Sequence, residues 1–424
     1  MQENIEQKTK VLIVGVNVND REFFKESMEE LISLVEACNM EVCGSVEQNL
    51  KAVNKPLYIG TGKVDEVKNK AIECGAEVIV FNNELSPTQL RNLQEDLDMP
   101  ILDRTSLILE IFSTRAKTRE AKLQVEVAKL QYMLPRLVGL HESLGRQGGG
   151  SGLSNKGSGE KKLELDRRRI EDKLTELKKE LEEVEQERNT QRKQRNESGI
   201  PKVALVGYTN AGKSTLMNAM VDIFLKDETK KVMEKDMLFA TLETSVRKIT
   251  LENNKSFLLS DTVGFISELP HNLIKAFRST LEEVKNADLL LNVVDYSDPN
   301  HEEHIQVTKD TLKDLGADEI PVIYVFNKSD LMLDRLPLVD GNEIYMSASN
   351  KKGINELIDL ISSKIYSDYI DCEMLIPFEK GNIVSYFNEN ATIKQTEYLE
   401  NGTLLKMNCK LSDYSKYMEY VKKL

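Results

Sequence analysis

The 424-residue chain contains no tryptophan, few aromatic residues and no long uninterrupted apolar run. A helix that crosses a bilayer needs about 20 consecutive, mostly apolar residues, so we expect no membrane span. The polar amino terminus, MQENIEQKTK, leads directly into a strand-like segment, which argues against a secretory signal. We therefore expect the protein to be cytoplasmic.

Cysteine is also scarce, and the spacing of the cysteines argues against a structural zinc site. The five cysteines are Cys38, Cys43, Cys74, Cys372 and Cys409. Their number is odd and they are scattered, whereas structural zinc sites usually need two close pairs of Cys or His. A reducing compartment keeps such thiols free, so we expect buried thiols and no zinc site.

Positive charge is in deficit over the whole chain but not in its middle. The net charge is −13, which at first sight discourages nucleic-acid binding. Residues 115–195 nevertheless carry 20 Lys and Arg against 14 Asp and Glu, a net charge of +6, so the remainder carries −19. A basic segment in an acidic chain indicates a local interaction with a polyanion.

The length exceeds one ordinary domain, and the hydrophobic patterns suggest several. In residues 1–114, strand-like runs such as Val11–Val16, Leu57–Ile59 and Val78–Phe81 alternate with helical patterns. This alternation predicts an α/β domain with a parallel sheet. The alternating runs of residues 370–424 predict a small α+β domain.

Between these regions, residues 115–198 predict an antiparallel coiled-coil hairpin. Both arms repeat apolar residues at spacings of three and four, the heptad pattern. The repeats are Leu123, Val127, Leu130, Leu134 and Leu137 on the first arm, and Ile170, Leu174, Leu177, Leu181 and Val184 on the second. A Gly- and Ser-rich loop near residues 139–159 joins them, and Pro135 is expected to kink or end the first arm.

The hairpin admits a plain interpretation and a functional one. It could be a spacer with a solvated charge run. The long loop with its basic flanks, which include Arg136, Arg146 and Lys156, favours a functional role.

Phosphate-binding residues follow the strand-like run Val203–Val206. The segment GYTNAGKS at residues 207–214, followed by a helical pattern, has the spacing and context of a P-loop. Gly207 and Gly212 allow the backbone N–H groups to point at phosphates, Lys213 supplies positive charge, and the Ser214 hydroxyl can ligate Mg²⁺. The predicted phosphate-binding residues are Gly207, Asn210, Ala211, Gly212, Lys213, Ser214 and Thr215.

Three further strand-end motifs complete a guanine-nucleotide site in residues 199–369. Asp261 begins a DxxG turn that ends at Gly264, where a carboxylate near Mg²⁺ and an N–H near the γ-phosphate are expected. The motif Asn327-Lys328-Ser329-Asp330 places a carboxylate that can accept paired hydrogen bonds from guanine, and adenine lacks that donor pair. Ser347 and Ala348 are expected to complete the base pocket. We therefore predict a GTPase domain that binds GTP, GDP and Mg²⁺.

The predicted catalytic residues are Lys213, Gly264 and Thr241, and the predicted Mg²⁺ ligands are Ser214, Asp261 and Thr241. Thr241 is predicted from its place between the P-loop and the DxxG turn, with Thr244 as the alternative. Many GTPases have a water-positioning Gln directly after DxxG, whereas this chain has Phe265. Because neither Arg247 nor Arg278 is an obvious internal arginine finger, we expect slow intrinsic hydrolysis that a partner accelerates.

These residues resemble the HflX-type ribosome-associated GTPases over nearly the whole chain. The resemblance is carried by Tyr58–Val64 (YIGTGKV), Glu84–Asn92 (ELSPTQLRN), Ile101–Thr105 (ILDRT), Tyr132–Leu137 (YMLPRL) and Asp261–Ile266 (DTVGFI). It implies a protein that binds the 50S subunit or 70S ribosome in its GTP state, contacts ribosomal RNA through residues 115–195, and splits or rescues stalled ribosomes. Nothing in the sequence demands more than a monomer. It also implies that the hairpin loop, with Arg136, Arg146, Lys156 and Gly159, reaches toward the peptidyl-transferase centre.

The chain departs from the family in that loop. The family usually reads close to GGxGTRGPGE, whereas residues 148–160 read GGGSGLSNKGSGE, a longer stretch with Asn155 and Lys156 where the Arg and Pro are lost. One hypothesis is that this variant tip dislodges bound antibiotics. Two alternatives stay open for the protein: an RNA-binding or RNA-remodelling module, and a regulatory GTPase whose hairpin docks a protein. The segment GTGK at residues 60–63 lacks P-loop spacing and is interpreted as a helix start rather than a second nucleotide site.

Overall fold

The computed structural model describes residues 8–19, 23–146, 156–197, 200–224, 245–251, 255–266 and 283–422. The chain forms two compact units, which divide near residue 193. The predicted domain boundaries at residues 114, 198 and 369 stay predictions.

The first unit begins with a four-stranded parallel sheet covered by helices. Its elements are β1 (Thr9–Val18), α1 (Phe24–Ala37), β2 (Met40–Leu50), α2 (Thr61–Cys74), β3 (Val78–Phe81), α3 (Pro87–Leu97), β4 (Ile101–Asp103) and α4 (Arg104–Arg115). The strand order is β2-β1-β3-β4, with every pair parallel. The centre of β1 is buried along its whole apolar run, as a strand covered on both faces requires.

Polar caps start two of these helices, and one predicted strand is wrong. Ser86 and Asp103 each form a capping box at the amino ends of α3 and α4, which satisfies otherwise unpaired backbone N–H groups. Leu57–Ile59 is a tight loop instead of a strand, because Tyr58 has a φ of +66° and its backbone pairs with that of Asn54. The apolar run reflects burial, since Ile59 is fully buried in the sheet's core.

Two long helices, α5 (Arg119–Arg146) and α6 (Lys156–Glu197), complete the described part of this unit. They pack through a shared apolar cluster of heptad residues. The buried members are Leu123, Val127, Leu174 and Leu177, and the partly buried ones are Leu130, Leu134, Ile170, Leu181 and Val184. Ion pairs join Arg119 to Glu180 at 3.0 Å and Lys173 to Glu126, so the helices run antiparallel. Supercoiling of the pair stays a prediction.

The structure corrects the predicted ends of these helices. Residues 139–146 and 156–159, assigned to the loop from their Gly and Ser content, are helical, and the predicted tip at residues 147–155 lies outside the described residues. Pro135 lies inside α5 and does not end it. Proline removes one backbone hydrogen bond, and the packing of α5 against α3 and α4 stabilises the helix around it.

The second unit contains a seven-stranded sheet with helices. Its strands are β5 (Lys202–Val206), β6 (Ser245–Thr250), β7 (Ser256–Asp261), β8 (Leu289–Asp295), β9 (Val322–Asn327), β10 (Leu338–Asp340) and β11 (Glu343–Tyr345), and its helices are α7 (Lys213–Phe224), α8 (His301–Leu315) and α9 (Ile354–Ile365). The order is β10-β11-β9-β8-β5-β7-β6. Only the pairs at the two edges, β10 with β11 and β6 with β7, are antiparallel among the described strands.

The carboxyl-terminal part of this unit has its own small core. It contains β12 (Tyr369–Ile376), α10 (Gly381–Asn390), β13 (Thr392–Leu399), β14 (Gly402–Lys410) and α11 (Leu411–Lys416). The three strands form an antiparallel sheet in the order β12-β14-β13, and Phe387 of α10 packs on it with Met374 and Leu405. The predicted α/β class with a small α+β carboxyl-terminal region is confirmed.

Within the described residues, no helix is long and apolar enough to cross a membrane.

The cysteines are less scattered in space than in sequence, because the Sγ atoms of Cys43 and Cys74 lie 2.7 Å apart and those of Cys372 and Cys409 lie 3.5 Å apart. In the same part of the chain, no cluster of three or more His, Cys, Asp or Glu could hold a metal ion.

Truncating the apolar contact between the long helices should loosen both of them. Leu174→Ala removes a side chain that is 7% exposed, and buried Leu→Ala changes cost about 2–5 kcal/mol. Hydrogen exchange of the α5 and α6 amides should accelerate accordingly. Leu165→Ala on the same helix, where the side chain is 53% exposed, is the matched control. Equal exchange in the two variants would show that the cluster does not hold the helices together.

Candidate nucleotide-binding site

The predicted site residues follow strands that end at one edge of the seven-stranded sheet. Strand β5 pairs in parallel with β7 and β8, with Leu205 opposite Asp261. Strand β8 pairs in parallel with β9, with Asp295 opposite Asn327. Ligands of open α/β sheets bind outside the carboxyl ends of such strands. The sheet therefore brings together three motifs that are far apart in sequence.

Glycine is required at two places in the loop that follows β5. Gly207 has a φ of +136° and Gly212 a φ of +93°, values that side-chain-bearing residues rarely adopt. A Cβ at Gly207 would overlap the carbonyl oxygen of Val293, and one at Gly212 would overlap the amide nitrogen of Asn327. Asn210, which is exposed, has a φ of +60°. The loop is thus a compact turn, and Ala211 is buried in it.

Lys213 begins α7 and folds back over the loop. Its Nζ donates hydrogen bonds to the carbonyl oxygens of Gly207, at 3.0 Å, and Tyr208, at 2.6 Å. Burial lowers the pKa of Lys213 to about 8, although the nearby Asp261 carboxylate opposes the shift. An anion at this loop would favour the charged ammonium, so the site is suited to a phosphate.

A hydroxyl and a carboxylate meet next to this lysine. The Oγ of Ser214 donates to Oδ2 of Asp261 at 2.8 Å, and Asp261 is fully buried at the end of β7. Oxygen ligands of this kind suit Mg²⁺, which is typically held by one or two protein groups together with phosphates. Thr215, next in the first turn of α7, is partly buried.

The DxxG turn is fastened to the loop by backbone hydrogen bonds. Thr209 N donates to the carbonyl oxygen of Phe265 at 2.8 Å, and Phe265 N donates to that of Gly207 at 3.1 Å. A Cβ at Gly264 would lie 2.9 Å from the backbone Cα of Thr209, so a larger residue would push this turn away from the loop. Phe265 is 3% exposed, and its side chain has no group that could orient water by hydrogen bonding.

Asn327 has a role that sequence reasoning missed. Its Nδ2 donates to the carbonyl oxygen of Ala211 at 2.9 Å, and its Oδ1 accepts from Ala348 N at 2.9 Å. One buried amide therefore joins the phosphate-binding loop to the segment after β11. The motif identified Asn327 as a site residue, but the two partners lie 116 and 21 residues away, and no local signal names them.

The remaining residues of the predicted base pocket lie at the same edge. Lys328 has a φ of +58°, and its Nζ pairs with Oδ2 of Asp295 at 2.7 Å. Oδ2 of Asp330 accepts from Nδ2 of Asn350 at 2.9 Å. Ser347 is fully buried. Neither Asp295 nor Asn350 was predicted; Asp295 could have been suspected from its place at the end of an apolar strand.

Some predicted residues are not brought into the described site. Thr241, its alternative Thr244, and Arg278 lie outside the described residues. Arg247 lies on β6, where its guanidinium donates to the carbonyl oxygen of the neighbouring Val246 at 3.0 Å. A further aromatic contact was not predicted: the rings of Tyr208 and His304 stack with centroids 3.9 Å apart, which joins α8 to the loop.

The sequence matches four family models in succession. Residues 25–113 match the model described as GTP-binding GTPase N-terminal, residues 115–195 the GTP-binding GTPase Middle Region, residues 202–328 the 50S ribosome-binding GTPase, and residues 338–420 the HflX C-terminal domain. The first two matches cover the parallel-sheet region after β1 and most of the two long helices. The third covers the site residues from Gly207 to Lys328, and Ser347 and Ala348 fall in the fourth.

Full-length relatives agree with these matches. The GTPase HflX of Caldanaerobacter subterraneus subsp. tengcongensis is 42% identical over 97% of this chain and 94% of its own length. The GTPase HflX of Escherichia coli is 36% identical over 89% of this chain and 88% of its own. A crystal structure of a GTP-binding protein from Sulfolobus solfataricus in complex with GDP is 26% identical, with a TM-score of 0.42, and the match covers 85% of this chain and 99% of that one.

Adding one methyl group at Gly212 should disable the site. Gly212→Ala would meet Asn327 and strain a backbone with a φ of +93°, so binding of a fluorescent GDP analogue should weaken at least about tenfold, equivalent to about 1.4 kcal/mol. Gly316→Ala is the matched control, because Gly316 also has a positive φ of +68° but has nothing within 4 Å of its added Cβ. Unchanged affinity of Gly212→Ala would contradict the description of this turn.

Proposed function

Because the chain belongs to the HflX family of GTPases, we propose that it binds the ribosome in its GTP state and hydrolyses GTP there to split or rescue stalled ribosomes. The 50S subunit and the 70S ribosome are the proposed partners, and a monomer is the expected form. The observation that carries the proposal is the joint presence of the three predicted nucleotide-binding motifs at one edge of the sheet and of two long helices packed antiparallel.

Each site residue receives a proposed role from its geometry. The 207–214 turn and the Lys213 ammonium bind the phosphates, because the Nζ of Lys213 lies against this turn and the turn leads into the amino end of α7. Asp330 accepts the guanine N–H donors and exchanges its bond to Asn350 for them. Asn327 positions the base pocket against the phosphate loop, and Ser347 with Ala348 closes it.

The fit of Mg²⁺ rests on the Ser214–Asp261 contact. Ser214 and Asp261 would hold the ion, with Thr241 as the proposed third protein group from outside the described residues. When bound, Mg²⁺ neutralises charge on the phosphate oxygens. The Ser214 and Asp261 oxygens, 2.8 Å apart, are close enough to share one small cation.

Slow hydrolysis follows from the residue after the DxxG turn. Phe265 is buried, and its backbone is hydrogen-bonded to Gly207 and Thr209. The water molecule that attacks GTP must therefore be oriented by some other group. A ribosome-supplied group, or ordering of the site on the ribosome, would meet that need, which makes hydrolysis a signal that the correct partner is bound.

The two long helices support the ribosomal part of the proposal. The segment 115–195 carries a net charge of +6 within an acidic chain, and its loop tip joins two long helices that pack on each other. Such an arm suits entry among phosphates and unstacked bases of ribosomal RNA. The proposed reach toward the peptidyl-transferase centre and the displacement of antibiotics concern residues 147–155, which lie outside the described residues.

Two alternatives use the same features differently. In an RNA-remodelling module, GTP would only set the conformation, and in a regulatory GTPase the arm would dock a protein. The positive charge of the arm favours RNA, which is a polyanion, over a protein as the partner. Ribosome dependence of hydrolysis separates these alternatives from the main proposal.

Ribosomes should accelerate GTP hydrolysis by the purified protein. The expected result is slow turnover alone and strong stimulation by 50S subunits or 70S ribosomes. Lys213→Ala should weaken GTP binding about 10- to 100-fold, because it removes charge-assisted contacts worth about 1.5–3 kcal/mol, and should abolish the stimulated rate.

Lys351→Ala is the matched control for this measurement. Lys351 lies in the same unit, is 48% exposed, and pairs with Asp222 at 2.8 Å, so its loss should leave both rates unchanged. Failure of ribosomes to change the rate, together with failure to cosediment with them, would leave a GTPase with a different target.

A further inference from the structure

One buried carboxylate lies where the two-helix arm meets the parallel sheet of the first unit. Asp103 ends β4 and is fully buried. Its Oδ1 accepts from Ser106 N at 2.8 Å, which caps α4, and its Oδ2 accepts from Leu85 N at 3.0 Å. Two loops at the carboxyl edge of the parallel sheet are therefore held by a single side chain.

The same carboxylate accepts two hydrogen bonds from the arm. Tyr132 OH donates to its Oδ1 at 2.6 Å, and Nη2 of Arg136 donates to its Oδ2 at 3.3 Å. Arg136 also donates to the carbonyl oxygen of Leu85 at 2.9 Å and to that of Tyr132 at 2.8 Å. Its guanidinium carbon lies 3.3 Å from the centroid of the Tyr132 ring, so Tyr132 and Arg136 form one stacked pair.

These contacts are charged and shielded from water, which makes them specific in direction. The Arg136 side chain is only 13% exposed and that of Asp103 is 0% exposed. A buried ion pair is costly to break by removing one partner, because the other charge is left without compensation. Burial and the adjacent Asp103 charge raise the pKa of Tyr132, so the phenol stays protonated and donates at neutral pH.

The position of the stacked pair along α5 determines how strongly it can affect the direction of the arm. Tyr132 and Arg136 lie one turn apart on one face of the helix, and α5 packs on α3 and α4. Beyond Arg136 the helix continues for ten residues to Arg146, or about 15 Å at 1.5 Å per residue. A small change in the angle of α5 at the stacked pair therefore produces a larger displacement at the end of the helix.

We propose that Asp103, Tyr132 and Arg136 form a positioning joint that sets the direction of the two-helix arm against the amino-terminal sheet. Arg136 acts in this joint, whereas its place in the sequence suggested that it belongs to the RNA-contacting loop. The proposal rests on the proposed function only in assuming that the arm must enter the ribosome in one direction.

Direction of the arm is measurable without ribosomes. Spin labels on noncanonical amino acids at residues 72 and 146, on α2 and at the end of α5, should give one narrow distance distribution in the parent protein. Arg136→Met should broaden it, and Tyr132→Phe should broaden it less, because Arg136 then still pairs with Asp103 and still donates to the carbonyl oxygen of Leu85. Arg168→Met, which alters an arginine 68% exposed on α6, is the matched control and should leave it narrow. An unchanged distribution in Arg136→Met overturns the proposal.

Salt dependence of ribosome binding distinguishes the joint from an RNA contact. Loss of a phosphate contact reduces the slope of log K against log salt by about one. Arg136→Met should keep the parent slope and the intrinsic GTPase rate while losing most ribosome stimulation, and Arg136→Lys should recover part of that stimulation. A slope reduced by about one with an unchanged label distance assigns Arg136 to RNA and contradicts the joint.

Hydrogen-exchange protection of the β1 and β3 amides equal to that of the parent establishes that the first unit of each variant is folded. A parent protein that ribosomes do not stimulate would refute the proposed function, and the label distances would still decide the joint on their own.

Discussion

Parallel pairing of the central strands is the constraint on which the nucleotide site depends. Because β5, β7, β8 and β9 all run in one direction, the turns that follow them meet at one edge. The amide of Asn327 then ties the turn after β5 to the segment after β11. Without the common strand direction, no choice of side chains could bring motifs about 120 residues apart into one pocket.

The site is preorganised at a cost that its ligand can offset. Burial of the Lys213 ammonium lowers its pKa to about 8, because removal from water disfavours the charged form. Phosphate oxygens would raise this pKa again by supplying negative charge. The same logic places Asp261, fully buried, beside a hydroxyl rather than in solvent. The positive-φ turn that Gly207 and Gly212 permit places the loop carbonyl oxygens within hydrogen-bond distance of Lys213.

Stiffness in the first unit has a different origin. The described part of the arm has a thin apolar seam of four buried residues, and most of its remaining surface is charged and solvated. Such a seam joins α5 to α6 but sets no direction relative to the sheet. Direction needs contacts that are specific in geometry, and the buried Asp103 carboxylate supplies them by accepting hydrogen bonds from Tyr132 and Arg136 of the arm.

The amino-acid sequence by itself determined the local features whose backbone geometry demands particular residues. The P-loop glycines, the DxxG turn, the guanine motif and most strands and helices belong to this class, because their signals lie within a few residues. Tertiary structure alone decided the turn at Tyr58, the helix through Pro135, and the burial of Arg136 against Asp103. In each case the deciding partner is a buried group or packing surface from another part of the chain, and local patterns carry no information about which distant residue will supply it.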